Sequence, residues 1–117
     1  MIVRISIAMA TYNGSKYITN QLQSFAEQSR LPDEVVICDD CSTDSTINLI
    51  KEFQKTAPFE IKIYQNDQNI GYIKNFAKAL SLCSGDFVFL SDQDDFWLPY
   101  KIDCVLRVFN SEPTTQL

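Results

Sequence analysis

Val35-Val36-Ile37-Cys38-Asp39-Asp40 is the stretch on which the fold turns. Its apolar run of β-branched residues leaves no polar face, the pattern of a strand covered on both sides in a parallel sheet. The run then stops abruptly at a pair of acids. Phe87-Val88-Phe89-Leu90 repeats the pattern, again fully apolar and again ending in acid, at Asp92-Gln93-Asp94-Asp95. Upstream, Val3, Ile5, Ile7 and Met9 alternate with Arg4, Ser6 and Ala8 as a first strand, which gives way to the turn signal Tyr12-Asn13-Gly14-Ser15. Ile61 and Ile63 mark a further strand between them.

Helical periodicity fills the intervals. Ile18, Leu22 and Phe25 share one helix face, as do Ile47, Ile50 and Phe53, which follow Ser42, Thr43 and Asp44 as candidate N-caps. Ile73, Phe76, Ala77 and Leu80 give a third apolar stripe, and Ile102, Val105, Leu106 and Phe109 a fourth. Strands alternating with helices predict right-handed crossovers and a mainly parallel α/β sheet with helices on both faces. The chain of 117 residues, 45% of them hydrophobic, is expected to form one domain over 1–110, with 111–117 as a tail. In open sheets of this kind ligands bind outside the carboxyl ends of the strands. The Tyr12 turn, Asp39-Asp40 and Asp92 to Asp95 should therefore meet on one rim.

Composition narrows the chemistry. A formal charge of −5 speaks against a nucleic-acid partner, because backbone binding needs clustered Lys and Arg. No apolar run approaches the roughly 20 residues that span a bilayer, and the first residues open into a strand pattern, so the chain reads as cytoplasmic. Cys38-Asp39-Asp40-Cys41 has the spacing of a redox pair, but carboxylates between the sulfurs would raise the thiol pKa values where redox sites lower them. A zinc site lacks histidine altogether and has no second C-x-x-C. The four cysteines are expected to be reduced, small, buried apolar residues.

The acids carry the chemistry. Asp92, Asp94 and Asp95 lie within four residues, and carboxylates that close repel unless a cation or strong donors offset them. Mg²⁺ or Mn²⁺ held by one or two carboxylates and completed by phosphate oxygens is the simplest offset. The competing reading is an acidic turn that caps the following helix. At Asp39-Asp40, a carboxylate can accept but not donate, which matches the N3–H of uracil or thymine and repels the N3 lone pair of cytosine; the alternative is an Asx turn. Tyr12 is placed to stack on that base, if it is not simply a core tyrosine.

Four stretches, taken together, resemble the ordered landmarks of family 2 glycosyltransferases. They are Ser6-Ile7-Ala8-Met9-Ala10-Thr11-Tyr12-Asn13-Gly14, the segment from Val36 to Thr46, Asn69-Ile70-Gly71, and Ser84-Gly85-Asp86 running through to Asp95. Asp92-Gln93-Asp94-Asp95-Phe96-Trp97-Leu98-Pro99 looks in addition like a subgroup of bacterial polysaccharide enzymes described as rhamnosyltransferases. The resemblance implies a Rossmann-like GT-A fold, truncated here, with residues 111–117 as tail or start of an acceptor-binding half. It implies a UDP- or dTDP-sugar donor, a saccharide or lipid-linked saccharide acceptor at the inner face of the membrane, and displacement with inversion.

By the same resemblance Thr11 and Tyr12 would contact the base, Asp40 its N3–H, and Asp92 and Asp94 the ribose and a Mn or Mg ion, with Asp95 assisting. Asp39 and Lys74 are further donor-site candidates, Lys74 facing phosphate if it is not a solvated helix lysine. The catalytic base is implied to lie beyond the acidic loop. Two phosphoryl-transfer readings compete: haloacid-dehalogenase phosphatases, which carry such an acid on their first strand, and receiver domains, whose acidic pair follows the first strand. Neither order is met here. A P-loop is excluded, since no G-x-x-x-x-G-K-[ST] exists.

Overall fold

The computed structural model describes residues 3–92 and 95–111. Strand and helix alternate throughout: β1 (Ile5–Thr11), α1 (Ile18–Ala26), β2 (Glu34–Asp39), α2 (Thr46–Gln54), β3 (Glu60–Gln65), α3 (Tyr72–Ser81), β4 (Phe87–Asp92) and α4 (Lys101–Ser111). The strands form one sheet in the order β3-β2-β1-β4, every neighbouring pair parallel. This is the parallel α/β, Rossmann-like architecture expected from the sequence. α4 runs through Ser111, one residue into the expected tail; residues 112–117 lie outside those described.

Strand alternation sorts the core onto two faces. Ile5, Ile7, Met9, Val35 and Ile37 meet α1, α2 and the Trp97–Ile102 region in the larger cluster. Ala8 and Cys38 point the other way and meet Ala79 of α3, with Phe76 and Val88 packed around them. The second face is built of small side chains, which lets α3 approach closely. Its buried residues are accordingly Asn75 and Ala79; of the stripe of Ile73, Phe76, Ala77 and Leu80 expected from apolar spacing, only Phe76 packs against the sheet. Ile73 and Leu80 are exposed. β4 departs from expectation for a related reason: as an edge strand it is only partly covered, and Leu90 is 55% exposed.

The cysteines also divide. All four are free, but only Cys38 is buried; Cys83 is half-buried, and Cys41 and Cys104 are exposed, against the expectation of four buried thiols. Burial pushes the Cys38 thiol up, and burial together with the nearby Glu34 carboxylate takes Cys83 to about 11. Raised thiols are poor nucleophiles at neutral pH, which fits the rejection of redox chemistry.

Candidate functional site

The order β3-β2-β1-β4 reverses at β1, since the chain steps outward from β1 to β3 and then returns to the other side of β1 for β4. That reversal is a topological switch point, where loops leave in opposite directions and open a crevice. Register places Thr11 opposite Asp39 and Ala10 opposite Asp92 at the carboxyl ends. A cavity of about 520 Å³ lies there, lined by Thr11, Tyr12, Asp40, Tyr72, Asn75 and Asp92 among others. The three stretches expected on one rim do share it.

The loops that shape the crevice are knitted by backbone amides. Asn13 and Cys41 hold left-handed backbone, with φ of 48° and 67°. These turns bring the β1–α1 and β2–α2 loops together, where Asn13 N donates to Ser42 Oγ, Gly14 N to Thr46 Oγ1 and Ser15 N to Asp44 Oδ2. Asp44 also accepts from Thr46 N at 3.0 Å, two residues on, so it closes an Asx turn ahead of α2 and is not itself the cap residue. Hydrogen bonds to Thr46 and Ser15 outweigh its desolvation and pull its pKa to about 2.

Asp39 and Asp40 prove to do different work. Asp39 accepts from Thr11 Oγ1 at 2.6 Å and from Ser42 N and Oγ at 2.8 and 2.6 Å, tying two loops together without lining the cavity. Asp40 does line it, although only 3% exposed. Its Oδ1 accepts from Ile70 N at 2.7 Å and Asn66 Nδ2 at 3.0 Å, and its Oδ2 from Gly71 N at 3.0 Å. Burial acts to raise its pKa, but these donors outweigh it and the net shift is downward. A carboxylate offers about four lone-pair directions. Three are filled here from behind, which leaves Oδ2 one direction for a donor in the cavity.

The Ile70 and Gly71 amides can both reach Asp40 because Gly71 sits at φ 91°, where a Cβ would be strained. α3 then starts at Tyr72, whose hydroxyl crosses the crevice and donates to Asp92 Oδ1. Asp92 is held from the other side by α1, where Gln21 Nε2 donates to Ser91 Oγ at 2.8 Å and to the Asp92 carbonyl. Asp95 Oδ2 accepts from Asp92 N at 3.2 Å, a turn contact, and lines a neighbouring groove with Tyr72 and Leu90. Asp94 lies outside the described residues. Among those described, no three metal-ligating side chains converge.

Of the other expected donor-site residues, Thr11 lines the cavity, and Tyr12 lines it while 48% exposed. Lys74 is exposed and is not among the lining residues; the inward position on that turn belongs to Asn75. Tyr72 and Asn75 are site residues that apolar spacing could not reveal. A signal existed for Asn75, a polar residue four places before Ala79 on the inner line of the helix. No helix among the described residues is long and apolar enough to cross a membrane.

Comparison with known proteins places this geometry. The family model described as glycosyl transferase family 2 matches residues 6–116. A dTDP-rhamnosyl transferase, RfbG of Shigella flexneri, is 41% identical over 111 residues, covering 88% of this chain and 38% of that protein. The poly(ribitol-phosphate) beta-N-acetylglucosaminyltransferase TarS of Staphylococcus aureus is 36% identical over 97 residues, covering 80% of this chain and 17% of its own length. The crystal structure of TarS 1–349 in complex with UDP superposes with a TM-score of 0.85 at 32% identity, over 94% of this chain and 33% of that one. The mannosyltransferase PcManGT from Pyrobaculum calidifontis, in complex with GDP-Man and Mn²⁺, gives 0.75 at 27% identity, over 83% and 29%. The chain thus spans less than half the length of these relatives.

Proposed function

Because the chain belongs to glycosyltransferase family 2, we propose that residues 1–110 are the donor-binding part of an inverting glycosyltransferase. The enzyme moves a sugar from a UDP- or dTDP-sugar onto a saccharide or lipid-linked saccharide in bacterial surface polysaccharide synthesis, reaching its acceptor from the cytoplasm at the inner face of the membrane. The observation that carries this reading is the Asp40 carboxylate, filled from behind by three donors and turned into a cavity at the switch point with one acceptor direction left.

Asp40 takes the N3–H of uracil or thymine, and Tyr12 lies against the base with Thr11 beside it. Asp92 receives a ribose hydroxyl. The acidic loop offers only oxygen donors, and Asp92 reaches the cavity without a cluster around it. Such a set suits a hard cation that keeps waters and phosphate oxygens as its other ligands. Asp92 and Asp94, with Asp95 assisting, would hold the Mn or Mg ion. An ion held there would supply positive charge to offset that developing on the departing diphosphate. Thr11, Tyr12, Asp40 and Asp92 all serve the donor, so none is assigned the proton of the acceptor hydroxyl.

Calorimetric titration with UDP, dTDP, GDP and CDP, with and without Mn²⁺, tests the reading. UDP and dTDP should bind in preference to CDP, and Asp40→Asn should weaken UDP by about 1–3 kcal/mol, the range for a hydrogen bond to a charged group. Equal affinity for CDP and UDP sinks the base assignment.

A further inference from the structure

Behind the cavity wall, Asp40 is backed by a short polar chain whose two outer members, Asn66 and Lys78, do not line the cavity. Asn66, just past β3, donates through Nδ2 to Asp40 Oδ1 at 3.0 Å and to Asn75 Oδ1 at 2.8 Å. Its own Oδ1 accepts from Lys78 Nζ at 2.7 Å. Asn75 in turn donates through Nδ2 to the Cys38 carbonyl at 2.7 Å, anchoring the chain to β2. Asn66 does not line the cavity.

The direction of this chain is forced by chemistry. An ammonium can only donate and a carboxylate can only accept, so an amide between them must give its oxygen to Lys78 and its NH₂ to Asp40. A flipped amide would set oxygen against carboxylate and nitrogen against ammonium. The consequence is felt at Asp40. With Oδ1 filled by Asn66 and Ile70, the carboxylate cannot turn, and only Oδ2 is presented to the cavity.

We propose that Asn66, fixed by Lys78, is the specificity-determining positioning residue of the base site: it locks Asp40 as an acceptor, so that uracil or thymine is taken and cytosine refused. The inference rests on the reading of Asp40 as the partner of the base. Without the Asn66 donor the carboxylate is freer to rotate and easier to protonate. A neutral carboxyl can donate to cytosine N3, so discrimination falls even where nucleotide binding survives.

The test is the ratio of UDP to CDP affinity, measured on the 117-residue chain and on Asn66→Ala and Lys78→Met, with thermal unfolding followed in parallel. Asn66→Ala should lower the ratio roughly fivefold or more, the net scale of one hydrogen bond. Lys78→Met, which leaves the Asn66 donors in place, should lower it about two- to threefold in the same direction. A merely structural role would weaken both nucleotides alike and leave the ratio unmoved. Wild-type discrimination that survives both substitutions overturns the proposal alone. If Asn66→Ala does not fold, an unchanged ratio in Lys78→Met overturns it. Wild-type chain that binds UDP and CDP equally breaks the reading of Asp40 itself, and this proposal with it.

Discussion

The two ends of the sheet treat their carboxylates in opposite ways. At the amino end, Glu34 is fully buried yet saturated: Ser6 Oγ donates at 2.5 Å, Ser84 N at 2.7 Å, Ser84 Oγ at 3.0 Å, Lys62 Nζ stands at 2.9 Å, and Arg4 approaches at 3.4 Å. At the carboxyl end, Asp40 keeps one acceptor direction open, and Asp92 lines the cavity with Tyr72 on one oxygen. A carboxylate whose partners are all protein groups is scaffold. One left short of partners beside a cavity keeps an acceptor direction that a ligand could fill.

The largest effect should come from the saturated end. Glu34→Ala strands the groups gathered around it, and removing one partner of a buried ionic network costs about 3 kcal/mol or more. Urea unfolding should show this loss with UDP binding preserved in whatever fraction remains folded; a change below about 1 kcal/mol would erase the contrast between the ends. The acid side gives a second reading. Burial alone would raise the Glu34 pKa, but Ser6, Ser84 and Lys62 outweigh it and hold it near 2, against a usual value of 4.5. A depressed carboxyl stabilises the fold above its unfolded pKa and loses that contribution as pH falls through the folded one. Wild-type stability should therefore decline between pH 4.5 and 2 more steeply than that of Glu34→Gln.

A smaller effect is expected at the unsaturated end. If Asp92 and Asp94 hold the ion as proposed, they supply too few oxygens for an octahedral site, so metal and nucleotide should tighten one another by equal factors, as linkage requires. Couplings of about 1–3 kcal/mol are typical, and Asp94→Ala should remove most of it while base selectivity stays. Nucleotide affinity that is the same in EDTA and in saturating Mn²⁺ would return the acidic loop to a turn that caps α4.

Much of this was legible in the residues. Apolar runs ending in acid gave the strands and the rim, because a buried parallel strand has a sequence signature and its carboxyl end is where polar groups become affordable. What stayed hidden depended on side-chain direction and on partners far along the chain. Asp39 and Asp40 are adjacent and chemically identical, yet strand alternation turns one toward Thr11 and the other toward Gly71. Asn66 and Lys78 carry no motif; only the fold sets Asn66 on Asp40 and Lys78 on Asn66. The stripe on α3 held only at Phe76, because apolar spacing marks a face but not which neighbour covers it. There the close, small-residue face of the sheet selected Asn75 and Ala79.

The smallest effect isolates a single hydroxyl. Tyr72 reaches from the start of α3 to Asp92 Oδ1, and in doing so fills one of the directions that an ion or a ribose hydroxyl would use. A neutral phenol competes weakly with a divalent cation, yet it must be displaced or bypassed when the carboxylate turns to the ion. Tyr72→Phe keeps the ring and its edge contact with Phe76, at 5.4 Å between centroids, and removes the hydroxyl that sits on Asp92 Oδ1. Mn²⁺ affinity without nucleotide should then rise roughly two- to tenfold, the net scale of one hydrogen bond. The UDP-to-CDP ratio should not move, since Asp40 and its three donors are untouched. Titration of Mn²⁺ followed by electron paramagnetic resonance reads the change directly. A fall in Mn²⁺ affinity would mean that the hydroxyl orients Asp92 for the ion, and that this carboxylate, like Glu34, owes its function to a protein partner.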